Sequence, residues 1–517
     1  MSSPEDNIAD VPRPSSWKPR DKVGLICQVL LTALGLHMQL AVGFTLSWSG
    51  RPLLSWRHPV YGLVMILVGL VARLVLSPIY RQRWRRKFNL DKIRVRAYSE
   101  GAKHIPWRAA FVWIFLPALV LYQSNDRTIG SGDTVPMVQV ALSIVTDGDL
   151  ALDEFIDISD PPYYLTRIGD HYYSRFSLGP ALLALPFVEL ARWSGGDLGD
   201  PTMRSRLEKV IASWVAAAGA LLVFLMLLRA TAIGPALSLT IFYVLASQNW
   251  SIASQALWQH GPVALCVAGI LLIELHAYGR VRVLACVLQG LLLGLALGCR
   301  PTVVLLAVAV VVLVALRRPR QLPWLISATF LAFLPFALIH LSVYDNLLGP
   351  YGHAAASEKW GANIATALAG NLISPGRGLL IYQPLAALAL VALWPRQGRR
   401  REWSLAVVLV SWCAAHLVVV SCYTHWWGGH AWGPRFLTEL TPGLVVLMIP
   451  AVEWLWRWRV GRAVFMILLG WSIGLQVLGV YGQGAQRWMS NPVDIDMQPE
   501  RLWDWSDPPF GYPWRDD

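Results

Sequence analysis

The sequence predicts an all-α polytopic membrane protein. Of its 517 residues, 55% are hydrophobic and only 15% charged, with a mean hydropathy of +0.46, whereas soluble domains run near a quarter charged. Apolar runs long enough to cross a bilayer recur along the chain. The basic residues behind the net charge of +12 lie in short connectors between these runs, where they set topology. That placement argues against nucleic acid as a partner and makes membrane lipids the expected surroundings.

Taken in order, spans are expected at 23–46, 60–80, 106–122, 207–229, 232–249, 257–276, 282–299, 301–316, 322–344, 377–395, 403–422, 436–455 and 462–482. That is about thirteen helices, within a range of twelve to fourteen, at roughly 20 residues per crossing. The polar N-terminus has no cleavable-signal pattern, so the first run is expected to stay as an anchor. The stretch 81–107, beginning RQRWRRKF, is strongly basic and expected in the cytoplasm. The helix at 106–122 then delivers an acidic segment to the other side. LGPALLALPFVELARW is short for a span. Treating it as a non-spanning element keeps Arg229, Arg282, Arg317, Arg318 and Arg457 inside, as the positive-inside bias demands.

The expected organisation is residues 1–105 as a cytoplasmic N-terminus with two extra helices and a basic loop. A transmembrane module follows over 106–482, with an outer loop at 123–206 that holds short juxtamembrane helices. A short extracytoplasmic tail covers 483–517. Six cysteines fall in or beside apolar runs with no CxxC or Cys/His spacing, so small core residues are expected, not a disulfide framework or zinc site.

This topology puts Asp133, His260, Arg300, Arg377, His425 and Arg435 at one level, the outer face. Ionisable groups gathered there suit a site at the membrane boundary. Asp133 in SGDT reads as a general base for an acceptor hydroxyl or as an N-cap for VPMVQVALSIV. The later acids, Asp160 among them, could hold a divalent cation. They lack the Gly and closing Glu of a calcium loop in register, which favours a solvated acidic loop. Arg300 in GCRPT holds a phosphate or marks a short turn before Pro301. Arg377 in SPGRGLLIYQP stands at a helix start, where free N–H groups and a guanidinium favour an anion. YTHWWGGHAWGPRF packs His425, Trp426, Trp427 and Arg435 together. An interfacial aromatic belt explains the tryptophans alone; aromatic faces beside polar donors suit a sugar ring or lipid headgroup.

Together the segments SGDTVPMVQVALSIVTDGDLALDE, YYSRFSLGPALLALPF, SQALWQHGP, GCRPT, SPGRGLLIYQP and HWWGGHAWGPRF resemble the GT-C glycosyltransferases. The likeness is to the bacterial branch related to dolichyl-phosphate-mannose–protein mannosyltransferases and the lipid A aminoarabinose transferase, and it covers about 120–440. It implies a GT-C-like fold in a bacterial cytoplasmic (inner) membrane, with the active site on the extracytoplasmic face. It implies transfer of a sugar from a polyprenyl-phosphate-linked donor to a glycan, lipid or protein acceptor. Asp133 then corresponds to the loop aspartate that serves as base, and Arg300, Arg377 and Arg435 become candidates for the lipid-phosphate site. The competing readings are a transporter or flippase of a lipid-linked substrate and an enzyme of the O-antigen ligase or polymerase type. A transporter is disfavoured by the lack of an internal repeat, and a ligase by a long outer loop that comes early in the chain.

Overall fold

The structure is a computed structural model. It describes residues 19–40, 44–48, 51–56, scattered positions between 62 and 80, and then 107–125, 127–157, 160–276, 282–353, 360–394 and 400–512. The basic loop expected at 81–107, apart from Trp107, and most of the span expected at 60–80 lie outside the described residues.

The protein is predominantly helical, and among the described residues seven helices are long and apolar enough to cross a membrane. These are Asp21–Leu40, Pro201–Ala230, Arg282–Cys299, Pro319–Tyr344, Glu402–Ser421, Arg435–Leu455 and Arg459–Tyr481. It is an all-α membrane protein with two small hairpins. Five further expected spans are helices of 10–17 residues: Trp107–Tyr122, Ile233–Leu245, His260–His276, Pro301–Arg317 and Pro384–Leu393. At about 1.5 Å per residue each falls short of a hydrocarbon core about 30 Å thick.

The contacts divide the chain into two units. One comprises residues up to 96 with Leu190–Asp197; the other comprises Ala97–Glu189 with Leu198–Asp517. In the first, the helix Pro19–Leu40 stops before a hairpin, Phe44–Trp48 paired with Arg51–Trp56. The apolar run expected to continue to 46 therefore ends earlier, because FTLSW combines aromatic, β-branched and alternating residues that suit a pleated ribbon.

In the second unit, close helix packing rests on small residues. Gly290, Gly294 and Gly298 recur every fourth residue along Arg282–Cys299. They face Leu325, Thr329, Ala332 and Phe336 of the neighbouring helix, where an added Cβ would meet backbone oxygen or side-chain carbon. Where lipid removes the hydrophobic drive between helices, such close backbone approach supplies the association energy. The helix expected at 377–395 is broken at Gln383. Leu379–Tyr382 precedes it and a 3-10 segment, Pro384–Leu393, follows. Pro384 lacks an N–H and pushes the preceding residue out of the helical region, to φ −139° and ψ 66°.

The segment 123–206 contains the expected helices Val135–Thr146 and Gly179–Trp193, and an unexpected hairpin, Leu165–Ile168 paired with His171–Ser174. All six cysteines are free, three of them buried.

Candidate functional site

The site is built where segments distant in sequence converge. Ile129–Thr134 reaches it first. The Ile129 N–H donates to the Gln255 carbonyl at 3.2 Å, and the Ile129 carbonyl accepts from Trp258 Nε1 at 3.2 Å. The turn closes where the Thr134 N–H and hydroxyl both donate to the Ser131 carbonyl, at 2.9 and 3.1 Å. Thr134, not Asp133, occupies the N-cap of Val135–Thr146. The capping role considered for Asp133 is therefore not what its carboxylate does: it projects away and meets Arg435 Nη1 at 3.0 Å.

Arg435 is 7% exposed. Its guanidinium lies 4.4 Å from the ring centre of Trp258 and 5.1 Å from that of Phe436. Trp258 thus serves twice, anchoring the segment that carries Asp133 and stacking on the arginine that pairs with it. Gly428, at φ +74°, lets the 423–434 loop pass close over this arginine; a side chain there would come within 3.2 Å of Arg435 Nε. That Nε is buried and has no hydrogen-bond partner among the described residues. A buried donor left unpaired is costly, and is normally met by a ligand or water.

Beneath this pair sits a second charged cluster. Glu439 accepts from Arg300 Nη1 at 2.5 Å and lies 2.6 Å from His260 Nδ1; His416 Nε2 is 3.6 Å away. Arg300 also lies 5.7 Å from the centre of the Phe436 ring. Phe436 therefore contacts both arginines, which couples the two clusters through one aromatic side chain. Glu439 is 1% exposed, and a carboxylate so buried is tolerable only when paired. Arg300 and His260 come together as expected, but they turn towards Glu439, a residue the sequence reading did not single out.

Three tyrosines add to the site. Burial first, then the nearby Asp133 charge, raise the Tyr163 phenol above its ordinary value. Tyr423 is raised by the same two causes. Tyr351 is pushed up to about 12, first by burial and only in small part by Asp133, and its hydroxyl donates to Gln259 Oε1 at 2.9 Å. All three stay protonated near neutral pH, with the Tyr163 and Tyr423 phenols near the carboxylate.

The other expected site residues fall elsewhere. Arg377 is 1% exposed and donates to three carbonyls: Trp427 at 2.8 Å from Nε, Gly376 at 2.9 Å from Nη1 and Gly429 at 2.8 Å from Nη2. It clamps the 423–434 loop. Trp426 and Trp427 are buried in a core cluster with Trp258, Tyr382, Trp432 and Trp488, so their faces serve packing. His425 is exposed, with its ring 5.0 Å from that of Trp427. Asp160 is exposed, and its N–H donates to the Asp157 carbonyl at 3.2 Å.

The neighbouring acids serve their own loop. Asp149 Oδ1 accepts from Ser143 Oγ at 2.7 Å and from the Ala151 N–H at 3.1 Å; Asp153 accepts from the Tyr172 N–H at 3.0 Å.

No protein-family model and no curated protein matches this chain. The function must be read from the site.

The arrangement offers a partly exposed carboxylate, a buried guanidinium with a spare donor, and phenols near both. Such a set can accept a proton, hold an anion and orient hydroxyl groups. The sequence held a signal for Glu439 that the reading passed over: it stands alone in the apolar run RFLTELTPGLVV, and a carboxylate inside a span needs a partner.

Proposed function

We propose that this protein is a membrane glycosyltransferase of the GT-C type. It takes a sugar from a polyprenyl-phosphate donor and passes it to an acceptor hydroxyl on a glycan, lipid or protein, at the extracytoplasmic face of a bacterial inner membrane. The observation that carries the reading is the Asp133–Arg435 pair. It joins residues 302 positions apart, and it places a candidate base beside a buried cation with an unused donor.

The chemistry follows from what each group can do. The acceptor oxygen attacks the anomeric carbon and forms the new glycosidic bond. Its proton passes to an Asp133 carboxylate oxygen. The bond between the anomeric carbon and the phosphate oxygen breaks, and polyprenyl phosphate leaves with the electron pair. Attack from the face opposite the phosphate inverts the anomeric centre. Arg435 meets the charge growing on the leaving phosphate. A bound phosphate competes with Asp133 for the guanidinium, and this frees the carboxylate to act as base. Glu439 fixes Arg300 and His260 beneath Phe436, so their contribution passes through the packing of that ring. The neutral phenol of Tyr163 is a donor for a sugar hydroxyl.

The test is a transfer assay in proteoliposomes with a panel of polyprenyl-phosphate sugars, comparing wild type with Asp133→Asn. General-base removal costs about 10²–10⁴-fold, so transfer should fall by that much in protein of unchanged thermal stability. Full activity in Asp133→Asn would remove Asp133 as the base. Movement of donor across the bilayer without transfer would favour a flippase.

A further inference from the structure

A separate constellation lies in the segment that follows the last long helix. Residues 483–512 fold back on the 423–434 loop. Trp488, Met489, Ile495 and Leu502 of this tail join the core cluster that holds Trp426 and Trp427. The Gly376 N–H donates to the Leu502 carbonyl at 3.1 Å. Arg501 braces the tail from within: its Nε meets Asp507 at 2.8 Å and its Nη1 meets the Trp488 carbonyl at 2.6 Å.

This packing brings two carboxylates to one imidazole nitrogen. His430 Nε2 lies 2.9 Å from Asp494 Oδ1 and 3.9 Å from Asp496 Oδ2. One ligand atom from each of the three residues lies within 4.8 Å of the others. Each side chain is oriented by its surroundings. Trp427 Nε1 donates to Asp496 Oδ1 at 2.7 Å, which leaves Oδ2 turned to the histidine. The Asp496 N–H donates to Asp494 Oδ1 at 2.9 Å. His430 follows Gly429, whose carbonyl is held by Arg377. The side chains remain 36–42% exposed, so an ion and its waters have access.

We propose that His430, Asp494 and Asp496 form a divalent transition-metal site that fastens the tail to the aromatic loop. One imidazole nitrogen and two carboxylate oxygens suit zinc or manganese. Ligand atoms about 2.1 Å from such an ion lie about 3–4.2 Å apart, and the two His430 distances fall close to that span. Two carboxylates sharing one nitrogen repel each other, and a divalent cation among them removes the repulsion. The hydrogen bonds to Asp496 and Asp494 are the supporting contacts that metal ligands use for orientation. His171 with Asp153 is the internal contrast: a pair at 2.7 Å with one carboxylate and, among the described residues, no third group placed to join a metal site. The site stands independently of the transfer reaction.

The test uses full-length protein purified without a polyhistidine tag, stripped with EDTA and dialysed against Zn²⁺ or Mn²⁺. Bound metal is counted by mass spectrometry, and hydrogen exchange is followed over 488–512. Wild type and His171→Ala should retain one equivalent per chain. Asp494→Asn and Asp496→Asn should bind at least about tenfold more weakly. Metal should slow exchange in 488–512 of the wild type, and EDTA should reverse this without any substitution. No retained metal in the wild type, or retention unchanged in both Asp variants, would overturn the site. One equivalent bound with no change in tail exchange would overturn the fastening role.

Discussion

Arg377 and Arg435 are both buried, both border the same glycine-rich aromatic loop, and both looked alike as phosphate ligands. Their surroundings separate them. Arg377 donates to three backbone carbonyls, those of Trp427, Gly376 and Gly429. Arg435 pairs with a partly exposed carboxylate, lies on the Trp258 ring and keeps a buried Nε without a partner among the described residues. Satisfied donors hold a fold together; an unsatisfied one beside a carboxylate is poised for a ligand. The type of residue is the same, and the partners decide its use.

Under the proposed function, the largest effect that bears on this contrast is catalytic. Asp133→Asn keeps an oxygen able to accept from Arg435 but loses the base, so transfer should drop about 10²–10⁴-fold while the melting temperature holds. Next comes stability. Arg377→Ala leaves three buried carbonyls short of a donor and should cost about 3 kcal/mol, at roughly 1 kcal/mol per group. Thermal unfolding in detergent should place it below Arg435→Ala. If Arg435→Ala unfolds at the lower temperature, the division between clamp and ligand site fails.

Glu439→Gln comes between the two roles. It strips the counter-ion from buried Arg300 and should cost about 3 kcal/mol or more, with transfer reduced through the shifted Phe436. Glu439→Gln protein that is as stable as wild type would show that the cluster below the ring is not what positions it.

The smallest effect is at the 165–174 hairpin. His171 is raised above its ordinary value by its hydrogen bond to Asp153 and then by that carboxylate's charge. A raised histidine stabilises the fold below the unfolded value of about 6.5, and the contribution fades as pH rises through the folded value. The His171→Ala difference in melting temperature should be slight at pH 6 and absent at pH 9.

Much of the helical plan was legible in the sequence, because a bilayer demands long apolar runs and leaves little ambiguity about their form. The run at 207–229 became Pro201–Ala230 and the run at 322–344 became Pro319–Tyr344. The misses have local causes. Pro384 breaks a run whose composition alone reads as continuous. The hairpin turns on Gly169 at φ +63° within RIGDHY, a two-residue turn that an apolar-run reading skips. Asp133 and Arg435 stood out as charges at the edges of apolar runs. The partners of Arg300 and Arg377 did not, since a glutamate within a span and a set of backbone carbonyls are fixed only by the fold.

The most direct test is native mass spectrometry of the purified protein with polyprenyl phosphate, comparing wild type, Arg435→Ala and Arg377→Lys. Binding that survives Arg377→Lys in folded protein and is lost in Arg435→Ala would place the carrier phosphate at the guanidinium beside Asp133. Binding indifferent to Arg435, or no binding by the wild type, would contradict the assignment of this pair to a lipid-linked sugar donor.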